Sequence, residues 1–403
     1  MSDVRPQATL SRMGPMGLLV GVVGLALFAV GYFGAGTVEA KRAVMESYVY
    51  GYIFWTCLTL GCLGLTLLHH TIRARWGLAV LRIVEAGGGP AALIAMAVMF
   101  IPIALNVMSH SDASVYLWAR PGAEHDHLLH NKAFYLNVPF FLGRQVLYFG
   151  VWALLAGVLR RSSLRQDQTL DPAESVKRTN LSAPGIVLYC VMLTFAVTDW
   201  VMSLEPHWFS TLLPLLFVAG QALTALAMAV VLITVNREAE PFKRVLNSSV
   251  TKDLGNMIFA LTLLWTYMTV SQYIITYSGN LPEETPYYLR RAGETGWSVL
   301  GMMVIVGQFF IPFLALLAPR TKAVAKNLLA VACLVLAVRF LDLYWTVMPG
   351  LRTSLTGSLA HWTDYAAVLG IGGVWFAVWG SQIKKAALLP VHDTRLEDSP
   401  AHA

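Results

Sequence analysis

Long apolar runs alternate with short polar connections along almost the whole chain. Ten of the runs are about 20 residues long, the length that an α-helix needs to cross the hydrocarbon core of a bilayer. The pattern predicts an all-α, polytopic membrane protein with a single membrane domain over residues 1–403, ending in a polar tail at 384–403. The predicted helices are 13–34, 46–69, 91–108, 138–160, 185–204, 209–235, 254–277, 297–318, 326–348 and 363–383.

Composition agrees with this reading of the pattern. Hydrophobic residues make up 56% of the 403 positions and charged residues 13%, whereas about 25% of the residues in a soluble domain are charged. The polar connections leave no room for a separate soluble domain. The first apolar run is longer than the roughly 7–15 residues of a signal-peptide core, which predicts an uncleaved first helix.

Lys and Arg residues are unevenly distributed between the two sides of the predicted bundle. Twenty of the 29 lie on the side of both termini, and seven lie on the opposite side. The positive-inside rule therefore predicts that both termini are cytoplasmic and that basic connections such as 161–184 are solvated loops. The net charge of +6 is explained by this topology and implies no nucleic-acid partner.

Cysteine and histidine spacing bears on cofactors. The four cysteines all lie in apolar runs, without a C-x-x-C spacing, so covalent haem, iron–sulfur clusters and structural zinc are not expected in this chain. A histidine group at 125–130 has acidic neighbours in a connection, and we expect it to be solvated rather than to bind a metal. No two histidines are placed at matched depth on facing helices, which disfavours haem b.

Four charged residues interrupt the apolar runs. Asp199 lies in the fifth run, Arg144 in the fourth, and Arg339 and Asp342 are three residues apart on one face of the ninth. A charge in hydrocarbon costs at least about 2.5–3.5 kcal/mol on insertion scales, so each must be paired, wetted or neutralised.

The embedded polar groups fall at similar depths when residues are counted inward at about 1.5 Å each. Together with Gln272 and Tyr273, the four charges predict a polar layer in the half of the bundle away from the termini. Two interpretations remain open. The layer is either a set of compensated pairs, Arg144 with Asp199 and Arg339 with Asp342, or a site for proton entry or a quinone headgroup. The side chains give no evident proton path across the membrane.

Three segments resemble one known family. Residues 198–211 include Asp199, Glu205 and His207, residues 271–291 include Gln272 and Tyr273, and residues 132–141 lead to Arg144. These segments are similar to the ActF family, the NrfD-like membrane subunits of bacterial alternative complex III. The likeness extends from about the first predicted helix to the tenth.

This resemblance implies two four-helix bundles, formed by predicted helices 2–5 and 6–9, with two outer helices. It implies a place in the bacterial cytoplasmic membrane, in a respiratory quinol:electron-acceptor oxidoreductase, with lipids around the chain. The implied partners are a sister NrfD-like subunit, an iron–sulfur subunit, multihaem and monohaem cytochrome c subunits, and in some assemblies a terminal oxidase. Haem c and iron–sulfur clusters would belong to the partners, and this chain would hold no redox cofactor.

Three functions follow, in order of preference. The first is a structural and proton-translocating subunit, with Asp199, Glu205, His207 and Arg144 carried over from the resemblance and Arg339 and Asp342 added from the apolar-run analysis. The second is a quinone-binding subunit with its own headgroup site. A secondary transporter is less favoured, because its helix breaks at mid-membrane are not evident. No catalytic residue is assigned.

Overall fold

A computed structural model describes residues 8–293, 296–352, 361–390 and 393. Regular structure in these residues is entirely helical, and ten of the helices are long and apolar enough to cross a membrane. The prediction of an all-α polytopic membrane protein is therefore confirmed. Most of the predicted tail, residues 394–403, lies outside the described residues.

Twelve helices carry the fold. They are α1 (Ala8–Gly34), α2 (Val38–Ile72), α3 (Arg75–Gly87), α4 (Pro90–Met108), α5 (Val138–Thr169), α6 (Pro172–Trp200), α7 (Leu213–Val235), α8 (Ser248–Gly279), α9 (Thr285–Ala292), α10 (Trp297–Leu317), α11 (Ala325–Val347) and α12 (Trp362–Ile383). All except the short α3 and α9 are candidate membrane spans. Shorter helical turns lie at Leu117–Ala119, Ala123–His125, His127–Lys132, Met202–Leu204, Phe242–Val245, Pro319–Ala323 and Met348–Gly350.

The spans pack as two groups of four. In the first bundle α2, α4, α5 and α6 each contact the next around a ring, and in the second α7, α8, α10 and α11 do the same. Helix α2 joins the bundles by packing along α7, and α12 packs on the outer side of α2. This arrangement matches the predicted pair of four-helix bundles with two outer helices.

Small residues allow α1 and α12 to approach each other closely. Gly14 faces Gly380, and a Cβ atom on Gly17 would lie 2.9 Å from the carbonyl oxygen of Gly373. Contacts between glycines let two backbones meet where larger side chains would hold them apart. The contact also places the start of α1 beside the end of α12, and we call this end of the molecule the terminal face.

Several helices are longer at the terminal face than the apolar runs predicted. Helix α5 continues to Thr169 and α6 begins at Pro172, so most of the connection predicted at 161–184 is helical. Helix α2 ends at Ile72, and the following segment forms α3, which is buried from Trp76 to Gly87. The prediction of loops here was wrong, because these segments are helical. The predicted solvation holds only in part: the Arg165 and Lys177 side chains are exposed, whereas Arg178 is buried.

A buried ionic network explains these longer helices. The Arg82 guanidinium donates to Glu85 at 2.6 Å and to the Ser163 hydroxyl at 2.9 Å, and it pairs with Asp167. Arg160 of α5 donates to the Glu85 backbone carbonyl at 2.6 Å. Burial is the largest single influence and would raise the pKa of the Glu85 carboxyl. The Arg82 guanidinium, His70 and the Ser163 hydroxyl together outweigh burial and hold that pKa well below its usual range.

We predict that Glu85→Gln lowers the thermal stability of the detergent-solubilised protein at neutral pH. The change leaves Arg82 with a weaker buried partner, and breaking a buried pair typically costs about 3–5 kcal/mol. Because the folded-state pKa of Glu85 is depressed, its contribution exists above the unfolded pKa of about 4.3 and is lost as pH falls through the folded value.

Tm measured against pH tests this prediction. The variant should lose part of the acid-induced fall in Tm that the wild type shows below about pH 4.3, the unfolded-state pKa of Glu. Glu238→Gln is the control, since that side chain is 80% exposed in its pair with Arg237. Equal Tm profiles for Glu85→Gln and the wild type would contradict a stabilising role.

Candidate functional site

Asp199 and Arg144 form a closed ion pair in the first bundle. The Arg144 Nε atom donates to Asp199 Oδ2 at 2.8 Å and its Nη2 atom to Oδ1 at 2.7 Å. The Tyr148 hydroxyl donates to Oδ2 at 2.9 Å, and the Gln145 amide lies 3.4 Å from the same oxygen. Asp199 is fully buried. Both carboxylate oxygens are thus satisfied by donors from α5.

The guanidinium of Arg144 is equally enclosed. Its Nη1 atom donates to the Tyr135 backbone carbonyl at 3.0 Å, and its carbon lies 3.8 Å from the Tyr135 ring centroid and 4.3 Å from that of Phe140. Stacking on aromatic faces stabilises a desolvated cation. This geometry agrees with the interpretation of Arg144 and Asp199 as a compensated pair that fixes α5 against α6.

Arg339 and Asp342 form the corresponding pair in the second bundle. Both lie on α11 and bond to each other, and Arg339 Nε donates to the Thr224 hydroxyl of α7 at 3.3 Å. Gly220 of α7 lies directly against the guanidinium, where a side chain would collide with it. The Trp265 ring centroid lies 5.9 Å from the Arg339 guanidinium carbon. The pair predicted from the i,i+3 spacing is therefore formed.

The residues that follow the two aspartates form the same local pattern. Each is followed four residues later by a hydroxyl residue that donates to its backbone carbonyl, Ser203 to Asp199 at 2.5 Å and Thr346 to Asp342 at 2.8 Å. Each is also followed seven residues later by a proline, within or just after a short 3₁₀ turn. The pattern D-x-x-x-[S/T]-x-x-P is readable in the sequence, and it marks equivalent helices of the two bundles.

The predicted polar layer is divided between the bundles. Aromatic side chains of α2 stand on either side of the division. The Tyr52 ring packs 5.9 Å from Trp200 beside the Asp199 pair, while Tyr50 packs 4.9 Å from Tyr344 on α11. The structure thus places Arg144 with Asp199 and Arg339 with Asp342, as two separate sites.

Glu205 connects the two bundles at the face opposite the terminal face. Its carboxylate accepts from Arg291 at 2.8 Å and from Arg290 at 2.9 Å, both on α9. Beside this contact, Trp208 stacks on Tyr287 with ring centroids 4.0 Å apart, and burial raises the pKa of Tyr287 to about 12. Glu205 therefore ties the turn after α6 to the short helix before α10.

His207 and Gln272 lie away from both ion pairs. His207 bonds to Asp126 at 2.7 Å on the exposed surface, and this hydrogen bond lowers the pKa of the Asp126 carboxyl. Gln272 accepts a hydrogen bond from Ser210 at 2.5 Å. The structure thus gives these two residues local partners and does not bring them into the Asp199 or Asp342 site.

Tyr273 and Asp342 line a common cavity of about 630 Å³ in the second bundle. The cavity lies between α8, α9, α10 and α11, and its wall also contains Trp265, Arg291 and Met302. Most of the lining is apolar and aromatic, with a carboxylate and a guanidinium among it. Met302 is 61% exposed, so the cavity reaches the outer surface of the second bundle.

An irregular segment of α10 shapes the cavity. Residues Ile305–Phe310 form a π-helix, and Ile305, Phe309 and Phe310 line the cavity. π-helical turns are rare and are often found at functional sites. Apolar pockets of about 300–1,000 Å³ with a few convergent polar groups are typical of small-molecule sites. The cavity can therefore hold an amphipathic ring, with Asp342 and Arg291 in its wall.

Arg291 and Arg352 are among the charged groups that the sequence analysis missed. Arg291 is buried although it lies in a connection, and the only signal was a basic pair near a membrane boundary. Arg352 makes two hydrogen bonds of 2.9 Å to Asp364 and lies 3.5 Å from Glu46. Asp364 lies in the first turn of α12, and Glu46 lies inside α2, although the apolar run predicted a helix that begins at Glu46. A sequence does not distinguish a buried carboxylate at such a predicted boundary from a solvated one.

Among the described residues, no group of three or more His, Cys, Asp or Glu side chains is placed to bind a metal ion. Comparison with protein-family models and with curated proteins finds no match to this chain.

We predict that Arg144 and Asp199 are thermodynamically coupled. Arg144→Met or Asp199→Leu alone should lower Tm strongly, because each leaves a buried charge without its partner, a change that costs about 3–5 kcal/mol. The double variant should lose much less than the sum of the two. The test is a double-mutant cycle: Tm is measured in detergent for the wild type, the two single variants and the double variant. Losses in Tm that simply add would show that the pair is not coupled.

Proposed function

We propose that this chain is a membrane subunit of a bacterial respiratory quinol:electron-acceptor oxidoreductase of the alternative complex III type. It lies in the cytoplasmic membrane with both termini in the cytoplasm. Its first bundle has a structural role, and its second bundle binds a quinol ring. The chain itself supplies no redox ligand, and electrons pass to iron–sulfur and haem c centres of partner subunits.

The observation that carries the quinol assignment is the position of Asp342. This carboxylate is paired with Arg339, yet it also lines the cavity that reaches the outer surface of the second bundle. Asp199, by contrast, is enclosed by donors on both oxygens. A membrane-soluble ligand can reach the first carboxylate but not the second. The second bundle is therefore the favoured location for exchange of a proton with a ligand.

The chemistry of the cavity suits a quinol. A quinol has an aromatic ring with two hydroxyl groups and a long apolar tail, and its two-electron oxidation releases two protons. Trp265, Tyr273 and Trp345 provide aromatic surface for such a ring, and the outward opening accommodates a tail. Asp342 is placed to accept a hydroxyl proton, while the guanidinium of Arg291 favours the oxygen as negative charge develops on it.

The structural role rests on the contacts that join the helices. Glu205 connects the turn after α6 to Arg290 and Arg291 of α9, and Arg291 also forms part of the cavity wall. A carboxylate from the first bundle therefore positions a cation at the site in the second. This contact supports a subunit in which one bundle holds the other in a ligand-binding geometry.

We predict that filling the cavity weakens quinol use. Met302→Trp places a larger ring in the outer part of the cavity and should raise the KM for a quinol analogue at least about tenfold, which corresponds to 1.4 kcal/mol. Val299→Trp is the matched control, because Val299 is 59% exposed on the same helix but is not part of the cavity wall. Equal kinetics for the two variants would reject the cavity as the quinol site.

We predict that the tagged chain co-purifies with redox subunits. Extraction of native membranes in mild detergent should recover multihaem and monohaem cytochromes, an iron–sulfur protein and a second membrane subunit, identified by mass spectrometry and haem staining. An untagged strain is the control for nonspecific recovery. Recovery of the chain without redox partners would contradict the proposed complex.

A further inference from the structure

Two fully buried polar side chains lie at the centre of the second bundle. Gln308 of α10 and Thr262 of α8 are each 0% exposed. Three of their atoms have no hydrogen-bond partner among the described residues. They are the amide nitrogen and oxygen of Gln308 and the hydroxyl oxygen of Thr262. Buried polar groups in folded proteins are nearly always satisfied, and where protein groups are lacking the partner is usually bound water.

The two side chains lie at similar depths. The rings of Phe259 on α8 and Phe313 on α10 stack with centroids 5.6 Å apart, which aligns these antiparallel helices. Counting about 1.5 Å per residue from that contact, Thr262 is about 4.5 Å and Gln308 about 7.5 Å farther from the terminal face. Both side chains are buried in the second bundle, on helices that contact each other at the π-helix.

A proline interrupts the regular backbone hydrogen bonding of α10 in this region. Pro312 lacks the N–H that an α-helix would donate to the Gln308 carbonyl, and Gln308 lies within the π-helix that precedes the proline. Gly307 packs against Val338, so α10 and α11 are in close contact here. The amide of Gln308 is therefore held at one place by a tightly packed backbone.

This region adjoins the Asp342 site. Val338, which contacts Gly307, immediately precedes Arg339, and Asp342 is one helical turn farther from the terminal face. On α8, Trp265 of the cavity wall lies three residues from Thr262. In the other direction, the Lys322 ammonium lies 5.6 Å from the Phe259 ring centroid. Gln308 and Thr262 thus occupy the interval between Asp342 and a basic group nearer the terminal face.

We infer that Gln308 and Thr262 form an internal water-binding site that connects Asp342 with the centre of the membrane. Water bound there accepts hydrogen bonds from the Gln308 amide and donates to its oxygen and to the Thr262 hydroxyl. A proton leaving Asp342 passes to this water, and the carboxylate is restored without any change in oxidation state. Water binding stands independently, while the proton relay rests on the proposed function.

High-resolution cryo-electron microscopy of the native protein in lipid nanodiscs, with whatever subunits co-purify, tests the water site. We expect density within hydrogen-bond distance of both Gln308 amide atoms in the wild type, and its loss in Gln308→Leu. A map that shows ordered water elsewhere in the bundles but none here, or a Gln308 amide bonded to protein groups, would overturn the inference. This readout does not depend on quinol oxidation.

The relay is tested by turnover of the purified assembly. Gln308→Leu and Thr262→Val should each slow quinol oxidation several-fold and increase its solvent isotope effect, whereas Gln308→Glu should restore most of the rate. Thr194→Val is the control, because the exposed Thr194 hydroxyl donates to its own helix at 2.9 Å. Unchanged turnover and isotope effect in assembled Gln308→Leu would reject the relay even if water is seen.

Discussion

The cost of placing charge in an apolar interior determines how these helices pack. Arg144 and Asp199 satisfy each other across α5 and α6, and Arg339 and Asp342 do so along α11. A buried pair is costly to break but need not stabilise a protein relative to an apolar core. Here the pair fixes the relative position of α5 and α6, since only one alignment of these helices lets the Arg144 guanidinium bond to both Asp199 oxygens.

The buried ion pair has a different role in each bundle. Both carry an aspartate near the end of the fourth helix, followed by a hydroxyl residue and a proline. In the first bundle the partner cation comes from a neighbouring helix, and aromatic rings close around it. In the second bundle the cation comes from the same helix, and the neighbouring α10 leaves a cavity instead. A shared pattern therefore gives one closed structural site and one accessible site.

The opposite ends of the molecule are stabilised differently. At the terminal face, the network around Arg82 and Glu85 supports helices that continue beyond the apolar runs. At the other face, Glu205 joins the bundles through Arg290 and Arg291. Because Arg291 also lines the cavity, the geometry of the proposed quinol site depends on a contact made by the first bundle. The site is thus a property of both bundles together.

The sequence by itself determined the membrane class, the number of spans and the Arg339–Asp342 pair, because run length and i,i+3 spacing are local properties of the chain. Counting residues inward from the ends of the apolar runs also predicted that Arg144 and Asp199 lie at matched depth. Only the tertiary structure decided that Asp342 reaches a cavity while Asp199 does not, since exposure depends on which helices lie alongside. The same reason explains why Arg82 and Arg291 were not expected to be buried: a charge near a helix end is solvated or enclosed according to neighbours that are distant in sequence.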